Sequence, residues 1–404
     1  MKDRIIIIGA SITGAYTAIE LIKNGFDGHI TLIDKKDVFP YNTYPLSKDW
    51  MQDAEKVDPP LLKKKSYYEK NGIDLKLNTK VDSVNWKDKT VTTNQNETIP
   101  YDKLVIATGS KLRIIKLDGD DANGVFYLRE FRDAQKIKNW VKDTKDITII
   151  GSGFMGLELS STFNQLGKNV RVLVKEGRPL ENILGREVSD YFVNMHESHN
   201  TKFMFDEETE KINKDSKGNV TSILTKTGKT IKTDMVIVSV GVIPNLPFEL
   251  DVKMENGCIV VNKYGETSLD DIYAGGDIVK WPYKDHLIHV EHWENAWSQG
   301  ASIAKNIINK ESSEYNVYPY FWTDQYDQSF EYLGNTRSWD KTFLRGSLQD
   351  GKFAVSYVDA DNHPLAILFV NKFENRNDVE SILNKKEALD PKRFADLSIP
   401  LSEV

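Results

Sequence analysis

Apolar and polar residues follow two different periods along this chain. Ile5-Ile6-Ile7-Ile8 reads as an apolar strand. A glycine-bearing turn follows. Ala15, Ala18, Ile19 and Ile22 then recur at i, i+3, i+4 and i+7, which predicts a helix that exposes Tyr16, Glu20 and Lys23. Gly25 stands where a helix C-terminus wants left-handed backbone. Ile30 to Asp34 reads as the next strand. The same order recurs from Ile147 to Val174, with Met155, Leu159, Phe163 and Leu166 as the expected buried stripe, Gly167 ending the helix and Val170–Val174 as the strand. Two β-α-β units suggest two nucleotide-binding domains.

Short strands with turn signals lie between and after these units. Thr90–Thr93 and Ser222–Thr225 are examples, and two buried strands end in glycine, at Leu104–Gly109 and Val236–Gly241. Beyond about Tyr318 the pattern changes. Phe343–Arg345, Phe353–Val358 and Leu365–Val370 read as antiparallel strands, with Gly346 and Gly351 in turns. A short helix is expected after Asn377, and another at Asp390-Pro391, where Asp caps and Pro takes the first turn. The expected fold class is α/β: two Rossmann-like dinucleotide-binding domains plus a C-terminal α+β domain. The boundaries are 1–112 with 242–317 for the first domain, 113–241 for the second and 318–404 for the third.

Length agrees, since 404 residues suggest two to three domains. The net charge of −7 disfavours a basic nucleic-acid binder. The opening residues hold no signal-peptide core, and no apolar run of about 18 residues appears. A cytoplasmic protein without membrane attachment is therefore expected. The single cysteine, Cys258, cannot form an intramolecular disulfide, a dithiol pair or an iron–sulfur cage. Its surroundings, Gly257 to Val261, suggest an inert buried thiol. The histidines show no metal-ligand spacing, and no metal site is expected.

The chemistry concentrates at the two turns. Gly9-Ala10-Ser11-Ile12-Thr13-Gly14 is the dinucleotide fingerprint with its middle glycine replaced by Ser11. Glycines there permit the tight turn, the close approach of a pyrophosphate and the packing of helix on strand. The diphosphate then rests on the positive helix N-terminus. Asp34 is placed to accept from an adenosine ribose. The second turn, Gly151-Ser152-Gly153-Phe154-Met155-Gly156, is complete. At the end of its unit Val174 replaces the acid that would hold a free ribose 2′-hydroxyl. Lys175 and Arg178 suit a 2′-phosphate, whereas Glu176 opposes one. The balance leans to NADPH, with NADH left open; the plainer alternative is a set of solvated loop charges.

Pro45-Leu46-Ser47-Lys48, Tyr101–Gly109, Gly241–Asn245 and Ile272–Asp277 complete a pattern. With them the chain resembles the FAD-dependent pyridine-nucleotide oxidoreductases, whose two nucleotide domains are glutathione-reductase-like. Gly124–Arg129, Glu291–Ala296 and Pro319–Gln325 look most like the branch of ferredoxin and rubredoxin reductases that serve oxygenases. The resemblance implies that Gly9, Gly14 and Asp34 hold the ADP half of FAD. It places Lys48, Arg129 and Asp277 at the flavin and ribityl end, and Thr108 and Gly109 along the FAD chain. Gly151, Gly153 and Gly156 would hold the nicotinamide dinucleotide. Ser11, Val81, Ala107, Phe154, Met155, Lys175, Gly241, Glu291 and His292 complete the implied cofactor-binding set. Trp293 and Trp322 would flank the isoalloxazine. Lys48 and Glu158 form the implied catalytic ion pair near flavin N5. Thr43 and Tyr44 stand where the family commonly has arginine and proline, so one cationic contact to FAD is lost or supplied elsewhere.

The expected activity is transfer of electrons from NADPH, or NADH, through FAD to a ferredoxin- or rubredoxin-type carrier. The enzyme would be a monomer or homodimer. A two-electron flavin oxidoreductase acting on oxygen, a quinone or monodehydroascorbate shares every motif. So does a nicotinamide-sensing flavoprotein of the apoptosis-inducing-factor type. The lone cysteine, far in sequence from Pro45–Lys48, argues that electrons leave the flavin without a protein thiol.

Overall fold

The computed structural model describes residues 2–336, 338–385 and 387–404. The chain forms two compact units. One comprises Met1–Asn42, Asp58–Lys111 and Val242–Pro319; the other comprises Thr43–Val57, Leu112–Gly241 and Tyr320–Val404.

The first unit is built on a five-stranded sheet in the order Ile272–Ala274, Lys103–Ile106, Arg4–Ile8, His29–Ile33, Ile73–Lys76. Its strands are parallel. The unbroken apolar run at its centre follows from burial on both faces. Ile5 and Ile7 join a core with Ala18 and Leu21 of the helix Ile12–Lys23 and with Ile303 and Ile307 of the helix Trp293–Ile308. Ile6 and Ile8 face the opposite way, into a second core with Val91, Ile259 and Trp281. The predicted stripe on Ile12–Lys23 is buried at Ala15, Ala18 and Ile19; Thr17 and Leu21 are buried too, while Ile22 is only half-buried. The stripe is broader because a second helix covers this one. Gly25 has φ +78°, as the C-terminal position requires.

The second unit carries its own parallel sheet, in the order Lys202–Phe205, Asn169–Val174, Asp146–Ile150, Met235–Val238, Val125–Phe126. The helix Phe154–Gln165 follows the second glycine turn. Leu159 and Phe163 are buried as expected, but Met155 is 41% exposed and Leu157 is fully buried instead. Met155 lies in the first turn of this helix, at its exposed start. Residues 320–404 form a five-stranded antiparallel sheet, Tyr320–Gln325, Gln328–Gly334, Pro364–Val370, Lys352–Val358, Lys341–Ser347. This sheet shares a core with Leu157 and with the helix Glu181–Ser198, where Phe192 stacks on Phe330 at 4.3 Å. Gly351 is in a turn, but Gly346 lies inside a strand at φ +87°, opposite Phe353. The helix expected after Asn377 spans Arg376–Asn384 and begins before that residue, with Asn375 as its cap; Pro391–Ala395 forms where the Asp390 cap predicted it, and the Asp390 carboxylate accepts from Lys392 N and Arg393 N. Among the described residues no helix is long and apolar enough to cross a membrane.

The segment Thr43–Val57 is anchored inside this unit by one ammonium. Lys138, on the helix Phe131–Val141, donates to the carbonyls of Trp50 at 2.7 Å, Asp53 at 2.5 Å and Lys56 at 2.6 Å. Its Nζ lies 4.2 Å from the centre of the Trp50 ring. All three hydrogens of the group are used, which offsets the cost of burying the charge. Burial pulls its pKa below the ordinary lysine value. Replacing Lys138 with methionine keeps the stem and strands three carbonyls, at a cost of about 1–3 kcal/mol for each one left unsatisfied. Thermal unfolding of Lys138→Met should therefore shift several degrees downward, and an unchanged midpoint would refute the anchoring role.

Candidate active site

In the first unit the turn after Arg4–Ile8 is shaped by what a side chain would strike. Gly9 has φ +104°, and a Cβ there would lie 2.2 Å from Ala107 O. A Cβ on Gly14 would lie 1.8 Å from Gly9 O. Only glycine lets the helix N-terminus sit this close to the strand ends. Ser11 is different. It is the N-cap of the helix at φ −81°, which any L-residue adopts, and its side chain makes no capping bond. The matching Gly153 has φ −76° with nothing within 4 Å of an added Cβ. The protein itself therefore does not require glycine at this middle position, and Ser11 costs the fold nothing.

Asp34 is buried and braces the turn. Its Oδ2 accepts from Ala10 N at 2.7 Å and its Oδ1 from Lys36 N at 2.8 Å. Thr108 places a buried Oγ1 with no partner among the described residues at the end of the neighbouring strand. Asp277 accepts from Ser110 Oγ at 2.7 Å, and Gly276 N donates to Gln299 Oε1 at 2.7 Å. A helix start with no acid in its first turn, closed in by glycine and by an orphaned hydroxyl, fits a dinucleotide diphosphate. Ala107 and Val81 are buried in this unit, and Gly109 turns at φ +62°. Glu291 accepts from or pairs with His289 Nε2 at 2.9 Å. His292 caps the helix that begins at Trp293, whose ring stacks on Trp297 at 6.3 Å.

The second unit repeats the cradle. A Cβ on Gly151 would lie 2.2 Å from Ser239 O, and one on Gly156 2.4 Å from Gly151 O. Phe154 packs on Phe321 at 4.7 Å. Gly241, at φ +89°, accepts from Arg113 N, and Arg129 N is bound by Asp133 Oδ2 at the start of the next helix. Past Val174, Lys175 pairs with Glu208 at 3.4 Å and Glu176 at 4.0 Å. The Arg178 guanidinium lies over Phe205 at 4.5 Å and pairs with Asp190 at 3.5 Å. Both cations of that loop already have acidic partners.

Within this unit the structure brings Lys48 and Glu158 together. The Lys48 Nζ is 3.3 Å from Glu158 Oε1 and 3.3 Å from Asp324 Oδ2, and 5.6 Å from the Trp322 ring centre. Side-chain exposure is 15% for Lys48 and 10% for Glu158, so little water screens the pair. Ser47 Oγ donates to Glu158 Oε2 at 2.7 Å and Thr323 Oγ1 donates to Oε1 at 2.7 Å. Thr162 Oγ1 fixes the Ser47 carbonyl at 2.6 Å. Trp322 sits between Tyr44, edge-on at 5.5 Å, and Tyr320, stacked at 6.1 Å. Sequence reasoning assigned no role to Ser47, Thr323 or Asp324. The only signal was their presence inside the quoted motifs.

Cys258 is buried in the strand Cys258–Val260, as expected. Its Sγ lies 3.3 Å from His289 Nδ1, and burial raises its pKa. The thiol is therefore held in its unreactive form.

A chain with two such cradles is equipped for two dinucleotides, and a buried ammonium beside a carboxylate suits charge that appears during a redox step. That class of oxidoreductase has a family model. The model described as pyridine nucleotide-disulphide oxidoreductase matches residues 3–300, and a reductase C-terminal model matches 320–404; the chain belongs to this family of enzymes, which implies FAD and NAD(P)H. Rhodocoxin reductase of Rhodococcus erythropolis is 29% identical over 98% of this chain and 93% of its own length. The ferredoxin reductase for the CYP199A2 system of Rhodopseudomonas palustris superimposes with a TM-score of 0.92 at 27% identity, over 99% of both chains. The reductase in the covalent putidaredoxin reductase–putidaredoxin complex gives 0.92 at 28% identity, over 99% of this chain and 97% of that one.

Two buried histidines supply a pH prediction. Burial lowers His196 to about 4 and His292 to about 4. Between pH 6.5 and 4 the unfolded chain binds protons that these rings refuse in the fold. Their contribution to stability is complete above pH 6.5 and is lost as pH falls toward 4. Imidazole NMR signals of His196 and His292 should remain those of the neutral ring at pH 5.5. Titration near 6.5 would contradict the burial argument.

Proposed function

We propose that this chain is an NAD(P)H-dependent flavoprotein reductase that delivers electrons to a ferredoxin-type iron–sulfur protein. The observation that carries the reading is the buried Lys48–Glu158 pair in a chain whose one cysteine is buried. A disulfide-reducing member would need a reactive thiol, and none is present. Bound FAD supplies hydride acceptance from the pyridine nucleotide and release of the two electrons one at a time. The relatives support the acceptor class: one is named ferredoxin–NAD(P)(+) reductase, another rhodocoxin reductase, and putidaredoxin reductase has been solved in a covalent complex with putidaredoxin.

The residues divide the work. Gly9–Gly14 and Asp34 shape the cradle for the ADP half of FAD, and Thr108 Oγ1 offers it an unused hydroxyl. Gly151–Gly156 shapes the cradle for the nicotinamide dinucleotide. Lys48 would supply positive charge to balance the negative charge that hydride brings to the flavin. Glu158 and Asp324 keep the ammonium in place, and Trp322 covers it. Val174 offers no carboxylate to a ribose 2′-hydroxyl, while Lys175 is a cation at that loop. NADPH is the preferred donor on this reading, although Glu208 and Glu176 compete for Lys175. The enzyme works without membrane attachment or nucleic acid, in the cytoplasm, as a monomer or homodimer.

Anaerobic stopped-flow reduction tests the assignment of Lys48. Lys48→Ala should retain FAD and be reduced by NADPH about tenfold or more slowly. An unchanged rate would remove Lys48 from the mechanism. Lys175→Ala should raise KM for NADPH several-fold and leave KM for NADH alone; equal effects would put the lysine outside the 2′-phosphate site. The reduced wild-type protein should pass electrons to a [2Fe–2S] ferredoxin much faster than to oxygen or a quinone. Rapid NADPH consumption without any carrier protein would instead favour a two-electron oxidoreductase.

A further inference from the structure

Behind Glu158 runs a line of buried polar side chains. Thr323 Oγ1 is 2.7 Å from Glu158 Oε1, Gln325 Nε2 is 3.0 Å from Thr323 Oγ1, and His196 Nε2 is 2.8 Å from Gln325 Oε1. His196 Nδ1 then meets Tyr326 OH at 3.2 Å and Ser160 Oγ at 3.4 Å. Thr323, Gln325, His196 and Ser160 are each at most 1% exposed. No solvent is available to replace a lost partner, so each contact must be satisfied within the line.

The chemistry of the groups fixes the direction of every bond. A carboxylate paired with Lys48 only accepts, so Thr323 spends its one hydroxyl proton on Glu158. Thr323 must then accept from the Gln325 amide, which turns the Gln325 carbonyl oxygen toward His196. That oxygen cannot donate, so His196 carries its proton on Nε2. Its Nδ1 is left to accept from the Tyr326 or Ser160 hydroxyl. All donors therefore point the same way, toward the carboxylate. Bonds aligned in this manner polarise one another.

We propose that His196, Gln325 and Thr323 form a positioning relay that fixes the Glu158 carboxylate and, through it, the Lys48 ammonium. The relay rests on the reading of Lys48 given under the proposed function. None of its three members touches substrate or reacting atoms. Their task is to leave the carboxylate one orientation. Ser47 performs the same task on the other oxygen, Oε2. The elements involved are distant in sequence: the helix Phe154–Gln165, the helix Glu181–Ser198 and the strand Tyr320–Gln325. The relay therefore couples the docking of the antiparallel sheet to the geometry of the ion pair.

Thr323→Val and Thr323→Ser in the holoenzyme test this, each made with and without Lys48→Ala. Valine keeps the shape and removes the donor; serine restores it. The relay predicts that Thr323→Val lowers the limiting rate of flavin reduction about tenfold, with FAD content and the dissociation constant for NADPH unchanged. Thr323→Ser should recover to within about twofold. In the Lys48→Ala background Thr323→Val should have no further effect. A full additive loss there, or an unchanged rate in Thr323→Val alone, would overturn the relay. If Lys48→Ala alone leaves reduction unchanged, the reading of Lys48 falls instead, and a second readout then judges the relay. That readout is the 15N signature of His196 in wild-type protein, with and without FAD. The relay requires the Nε2–H tautomer at neutral pH; an Nδ1–H tautomer or a charged ring would refute it.

Discussion

A carboxylate taken out of water must be matched by donors on all sides, and Glu158 imposes that condition on the second unit. Its two oxygens collect Ser47, Thr323 and Lys48, from two different stretches of chain, onto a helix that a glycine turn has placed. Removing any one partner leaves charge or lone pairs buried and unmatched, an expensive outcome. The pair is thus poor evidence for stability but strong evidence for a fixed position. An ammonium held within 3.3 Å of two carboxylates has little freedom to wander, and that is the property a charge-stabilising group near a redox cofactor needs.

The glycine turns impose a second constraint, and it is steric. Gly9 and Gly151 have nearly the same φ, and each turns its missing Cβ toward a carbonyl about as far away. The two cradles are one local solution used twice. At the middle position the first uses Ser11 and the second Gly153, and neither backbone demands glycine. Whatever requirement acts there comes from the ligand. Ser11 is the N-cap of the helix, and its hydroxyl makes no capping bond in the protein.

Much of this was legible because periodicity is a local signal. The runs at Ile5 and Ile147, the glycine turns, the antiparallel strands after Tyr318 and the Asp390 cap all appear in the structure where the pattern placed them. Met155 was misread because an apolar residue in a helical stripe need not have a neighbour in the first turn. Asp34 was read as a ribose ligand from its place at a strand end, and its bonds to Ala10 N and Lys36 N show a carboxylate that also holds the turn. Lys48 was read as the partner of Glu158, and the structure brings the two together, but the hydroxyls that hold the carboxylate were invisible. Thr323 and Ser47 are ordinary polar residues whose importance comes from contacts across more than a hundred positions. Lys138 carried no signal in the sequence, and only tertiary structure brings three carbonyls to it.

The account turns on the charge of Glu158 rather than its shape. Glu158→Gln retains the size and most of the hydrogen-bonding capacity while removing the charge that holds Lys48. The limiting rate of flavin reduction by NADPH, measured anaerobically in this variant, tests that claim most directly. The account predicts a full complement of FAD and a rate at least about tenfold lower. A rate equal to that of the unmodified protein would show that the ion pair does not serve the chemistry.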